Sequence, residues 1–142
     1  MKNKQIKPTR SNFNIARQIC NHIPQHEVSK IARETGADDL ARTFSPWSHV
    51  VSLTVAQLTH SIGLNDLCDS LQLHSGPLSS IRAATPPSRN GLSHANRERP
   101  AEMGEQLFWR TLDHLTQTVA RFRRREKARA SFPLQDAHPC DR

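Results

Sequence analysis

The side chains best suited to chemistry with a partner lie between positions 82 and 99. Arg82, Ser88, Arg89, Asn90, Ser93, His94, Asn96, Arg97 and Arg99 crowd into eighteen residues. Arg and Asn can each form two parallel hydrogen bonds to a base edge, Arg to guanine and Asn to adenine. Serine hydroxyls can meet phosphates. Arg82, Arg89, Arg97 and Arg99 are therefore candidates for phosphate or guanine, and Asn90 and Asn96 for adenine. The same stretch also fits a solvated capping segment beneath the last helix, and pattern alone leaves the two readings level.

Other groupings are poorer. His26-Glu27 begins like the metalloprotease pattern H-E-x-x-H, but Lys30 stands where the second histidine belongs. Cys20 with His22, and Cys68 with His74, lack the second ligand pair of a structural zinc site. Asp38 and Asp39 are neighbours whose side chains point apart, which suits solvated carboxylates better than an acid/base couple. With five glycines in all, the chain has no phosphate-cradling loop and no nucleophile elbow. No catalytic residue, metal ligand set or cofactor is expected, and the chain is read as a non-enzyme.

An all-α fold must hold these residues, because no apolar run alternates with period two. The central element is FSPWSHVVSLTVAQLTHSI, residues 44–62. Ser45 caps it and Pro46 suits its first turn. Trp47, Val50, Val51, Val55, Leu58 and Ile62 recur every three or four residues, and Leu53 and Ala56 carry apolar surface to the other side. No charged side chain lies between Arg42 and Asp66, so other helices should enclose this one. Its many Ser, Thr, His and Gln residues argue against a membrane span.

Ahead of it, Ser11 or Asn12 opens a helix to about Asn21 with Phe13, Ala16, Ile19, Cys20 and Ile23 on one stripe. Pro24 opens a second, with Val28, Ile31 and Ala32 inward, Gly36 as its cap, and Glu27 paired with Lys30 outside. Residues 37–45 form a linker or a single turn. Behind it, Leu64, Leu67, Cys68 and Leu71 predict a helix over 64–73. His74 to Pro77 form a turn, and a short helix LSSIRAA follows. Pro86 and Pro87 cannot continue that helix. Residues 89–99 then form a short polar helix with Leu92 and Ala95 inward. Pro100 opens the longest helix, about 101–124, striped by Leu107, Phe108, Leu112, Leu115, Val119 and Phe122. The expected architecture is a compact bundle of five or six helices: a disordered basic tail over 1–11, a helical domain over 12–120, and a basic, disordered tail over 121–142.

The net charge of +7 is uneven: +4 over residues 1–45, −2 over 46–80, +3 over 81–101, −2 over 102–120 and +4 over 121–142. Basic blocks flanking neutral ones favour a polyanion, and the alternative is a solvated surface with basic tails. Three unpaired cysteines and the lack of a signal-length apolar run fit a cytoplasmic protein.

The order IPQHEVSKIARETGADDLARTFSPWSHVVSLTVAQLTHSIGLNDLCDSL, then SRNGLSHANRER, then LFWRTLDHL, resembles the N-terminal region of bacterial insertion-sequence transposases of the insertion-sequence-four family. The carriers are His26-Glu27, Phe44-Ser45 with Trp47, Ala56-Gln57-Leu58, Leu64 with Asp66-Leu67, and Leu92-Ser93 with Ala95-Asn96, across about residues 12–118. The resemblance implies a helical domain that contributes to binding duplex DNA at transposon ends. In that family a catalytic core with three carboxylates and divalent metal lies downstream. Nothing here corresponds to those carboxylates, so no catalytic residue carries over. His94 stands where relatives often have Asp, and Pro100 interrupts the run after NRER. The likeness fades after about Leu115, and the expectation is a truncated or frame-shifted coding sequence. The competing expectation is a module whose stripe from Leu107 to Phe122 pairs with a full-length transposase, or with its own copy, and inhibits transposition.

Overall fold

A computed structural model describes residues 11–37 and 44–119. The expectations for the N-terminal tail, Asp38-Asp39, Phe122, Cys140 and the basic run after 121 lie outside those residues. Among the described residues there are seven α-helices and no strand, an all-α fold.

Helix α1 is Asn12–Asn21 and begins where the Ser11 hydroxyl accepts the Asn14 N–H at 3.2 Å. Helix α2, Gln25–Glu34, buries Val28, Ile31 and Ala32 and ends before Gly36, whose φ of 71° is the left-handed region that glycine enters without strain. Helix α3 is Pro46–Thr59. The Ser45 hydroxyl accepts the Ser48 N–H at 3.1 Å, and Pro46 occupies the first turn. α3 packs against α1, α2 and the following helix α4, Leu64–Leu73. Trp47, Val51 and Val55 are buried there, and Leu58 is partly buried against the same core.

Serines complete the inner face of α3. Ser48 and Ser52 are buried. Ser52 returns its hydroxyl to the Ser48 carbonyl at 2.7 Å. The Ser48 hydroxyl accepts the Thr85 N–H at 3.0 Å, tying a later loop to this helix. A small hydroxyl with local partners satisfies its own polarity while letting neighbouring helices approach, so the buried face needs no unbroken apolar run.

The predicted stripe does not reach Ile62. α3 stops at Thr59, His60 turns left-handed at φ 52°, and the N–H groups of His60 and Ser61 both reach back to the Ala56 carbonyl. That C-terminal cap swings Ile62 fully into solvent. Leu53 is also exposed, so α3 is not enclosed on every side.

The short helix after α4 is displaced from its expected place. α5 is Ser75–Ser79 and takes in the predicted turn, because Pro77 falls in the first turn where no N–H is needed. Ile81 to Ala83 then form a turn rather than the end of a helix, with Arg82 at φ 49° and Ala83 at φ 59°. Trp47 donates its indole N–H to the Ile81 carbonyl at 3.2 Å, which anchors that turn over α3.

Helix α6 is Arg89–Glu98 and packs on α4. Helix α7 is Ala101–Thr118 and packs on α2. α7 ends with Val119 extended, short of the expected 124. Of its stripe, Leu107 is buried, joined by Met103, but Phe108 is 59% exposed. Phe108 follows Leu107 directly and so points about 100° round the helix from it. The α2 side is occupied by Arg110, which bonds both Glu27 and Glu34. Glu27 thus finds its partner on α7, not in Lys30.

Candidate nucleic-acid interface

α6 starts where the Ser88 hydroxyl accepts the Gly91 N–H at 3.0 Å. A Cβ at position 91 would lie 2.9 Å from that hydroxyl oxygen, so glycine is what lets the cap close this tightly. Leu92 and Ala95 are buried toward the core, three residues apart on one face. The opposite side carries Asn90, Ser93, His94 and Arg97, all exposed. Those four stand at i, i+3, i+4 and i+7, which is one face of an α-helix. The helix is about 15 Å long, and it is mounted by its apolar side with its polar side outward.

The nine expected site residues divide by what their heads touch. Asn90 and Ser93 face solvent. Arg97 donates to Glu98 at 2.7 Å and approaches His94 Nδ1 at 3.3 Å. The Arg97 guanidinium holds the Glu98 carboxyl below its ordinary pKa. Arg89, at the edge of the face, bonds Asp69 of α4 at 2.8 Å, with both side chains more than half exposed. Ser88 is committed to the cap.

Arg82, Asn96 and Arg99 are instead tied to the rest of the fold, although Arg82 and Asn96 remain exposed. The Arg82 guanidinium donates to the carbonyls of Ile23 at 2.9 Å and Asn21 at 3.1 Å, closing the end of α1, and lies over the Trp47 ring at 5.6 Å. Arg99 donates to the Phe44 carbonyl and lies 5.5 Å from the centre of the Phe44 ring. The Asn96 Oδ1 accepts a bond from His49 Nε2 at 2.7 Å. His49 is buried on α3, and burial pushes its pKa down; the Asn96 bond opposes that shift and the Arg99 charge adds to it.

In the sequence His49 is one of several polar interruptions of an apolar helix, and its role is not evident there. The available signal was its place beside Ser48 and Ser52 on one helical face. The Arg110 clamp is not evident there either, because a contact across 83 residues leaves no local spacing to read.

The other candidate groupings stay apart. His26 is 80% exposed and meets Glu27 at 3.4 Å. Cys20 and Cys68 are buried, and burial raises both thiol pKa values, which keeps them protonated and unreactive. Among the described residues, no three His, Cys, Asp or Glu side chains could together hold a metal ion, and no helix is long and apolar enough to cross a membrane. The model of a family described as Domain of unknown function (DUF4372) matches residues 11–81. No curated protein and no solved structure matches the chain.

Proposed function

The chain belongs to the DUF4372 family, and we propose that it is a duplex-DNA-binding module of the insertion-sequence transposase type, recognising transposon ends without cutting them. The observation that carries this reading is the uncovered face of α6, where Asn90, Ser93, His94 and Arg97 stand together on a helix fixed from behind by Leu92 and Ala95. A B-DNA major groove is about 12 Å wide and admits one α-helix. The net charge of +7 and the resemblance to transposase N-terminal regions support the same partner. A cytoplasmic location belongs to the same reading.

Docking is electrostatic first. Arg89 and Arg97 are held by exposed carboxylates, so a phosphate oxygen can take either guanidinium over. An exposed pair such as Arg89–Asp69 contributes only about 0–1 kcal/mol, so the exchange costs little. Arg82 and Arg99 serve the fold in this account. Their donors brace the end of α1 and the start of α3, and that bracing holds the platform behind α6.

Fluorescence anisotropy with labelled duplexes across a salt series tests the reading. Binding that weakens steeply with salt is expected. No binding at low salt removes it. A magnesium-dependent nicking assay tests the absence of strand cutting, and cutting by pure protein contradicts it.

A second reading, a protein-pairing module, is favoured by a different observation. Phe108 is 59% and Trp109 55% exposed on α7. Close by, Val50, Leu53, Met103, Gly104 and Leu107 line a cavity of about 240 Å³. Light scattering separates this reading from the first: a monomer at high concentration argues against self-pairing.

A further inference from the structure

α6 carries two asparagines, and the fold treats them differently. Asn90 is exposed on the outward face. Asn96 stands on the flank, where its Oδ1 lies 2.7 Å from His49 Nε2. A carbonyl oxygen only accepts, so the imidazole donates, and Nε2 is the protonated nitrogen. His49 cannot easily give way. It is buried on α3, with the Phe44 ring 5.8 Å away, and Arg99 is the charged group that bears on it.

A bidentate contact to adenine needs both ends of an asparagine amide, the oxygen accepting from N6 and the nitrogen donating to N7. The Asn96 amide is held in one orientation by its bond to His49, which limits its swing toward a base edge. We infer that His49 is a positioning residue that sets the division of labour on α6. By holding the Asn96 oxygen it pins that amide on the flank and uses one of the oxygen's two lone pairs. Asn96 is thereby suited to a phosphate oxygen or a lone base acceptor through its N–H groups. Asn90, whose amide is not tied in this way, is the residue able to turn and read adenine. This rests on the DNA-binding reading and specifies which side chain of that site carries base information.

The sequence offers no such distinction, since both residues are asparagines on the same helix, each beside an arginine. The difference comes from the fold bringing His49 of α3 within hydrogen-bond reach of Asn96 and not of Asn90. The same bond links the flank of α6 to a buried side chain of α3.

Selection from a randomised duplex pool, followed by sequencing, tests the assignment on the wild-type chain, Asn90→Ala, Asn96→Ala and His49→Gln. Asn90→Ala should erase an adenine preference of roughly 5- to 150-fold. Asn96→Ala should weaken all duplexes alike and leave the preference intact. His49→Gln, whose amide N–H can replace the imidazole N–H, should preserve the wild-type pattern. Nitrogen-15 spectra of the unbound wild-type chain should show His49 protonated at Nε2 and Asn96 amide protons perturbed by the tie. Loss of the adenine preference in Asn96→Ala overturns the assignment, as does a His49 ring protonated only at Nδ1. A wild-type chain that binds duplexes without base preference overturns the assignment alone, whereas one that binds no duplex overturns the parent reading with it.

Discussion

Replacing Leu92 by Ala separates the mount of α6 from its exposed face. Leu92 is fully buried, and with Ala95 it makes up the buried surface of that helix. Removing most of a leucine side chain from such a position costs about 2–5 kcal/mol, as lost transfer energy plus the cavity left behind. Alanine is a good helix former, so backbone preference offsets only a few tenths of that cost. The folded-to-unfolded ratio should therefore fall roughly 30- to 4,000-fold, at 1.4 kcal/mol for each factor of ten. For a domain of this size each kcal/mol lowers Tm by about 4–8 °C. The assay is urea denaturation followed by circular dichroism, with hydrogen exchange on the α6 amides. The midpoint should drop with little change in slope, and α6 protection should fall more than that of α3. Ser93→Ala, one residue along and exposed, is the control and should change stability by less than about 0.5 kcal/mol. A Leu92→Ala loss below about 1 kcal/mol, or equal losses in the two variants, would refute the packing on which the exposed face depends.

Further outcomes follow from the same contacts. Arg89→Ala and Arg97→Ala should each weaken duplex binding for every sequence and reduce the salt slope by about one, measured by anisotropy from low to moderate salt. His49 has a lowered pKa in the fold, so its neutral form stabilises the protein fully above the unfolded histidine value near about 6.5. That contribution should be lost as pH falls below it toward the folded value, and a midpoint-against-pH series should flatten there in His49→Gln. Arg110 holds the Glu27 carboxyl below its ordinary pKa. That stability is present above the unfolded glutamate value and lost as pH falls through the folded one. Carbon-13 titration should find Glu27 moved upward in Arg110→Ala.

Much of the helix register was legible because its signals are local. Ser11 and Ser45 are short hydroxyl side chains just ahead of helical runs, and each is an N-cap; Ser88, expected at a phosphate, caps α6 in the same way. Val28, Ile31 and Ala32, and likewise Leu67, Cys68 and Leu71, repeat at helical spacing and are buried as that spacing implies, whereas Ile19 and Leu64, on the same expected stripes, are exposed. The end of α3 was not legible, because a histidine rather than a glycine takes the left-handed cap. α5 was misplaced because Pro77 reads as turn or as first helical turn with equal ease. At the candidate site, the exposed quartet of α6 followed from polarity and period. The ties that Arg82, Asn96 and Arg99 make to the rest of the fold did not. They depend on carbonyls and an imidazole that lie 47 or more positions away in sequence and that only the fold brings close.

The most direct test of the account is amide chemical-shift mapping as a short duplex is added to the labelled chain. Shifts concentrated at Asn90, Ser93, His94 and Arg97, with α7 around Phe108 and Trp109 silent, are the predicted result. Binding that leaves those four signals unmoved would contradict it.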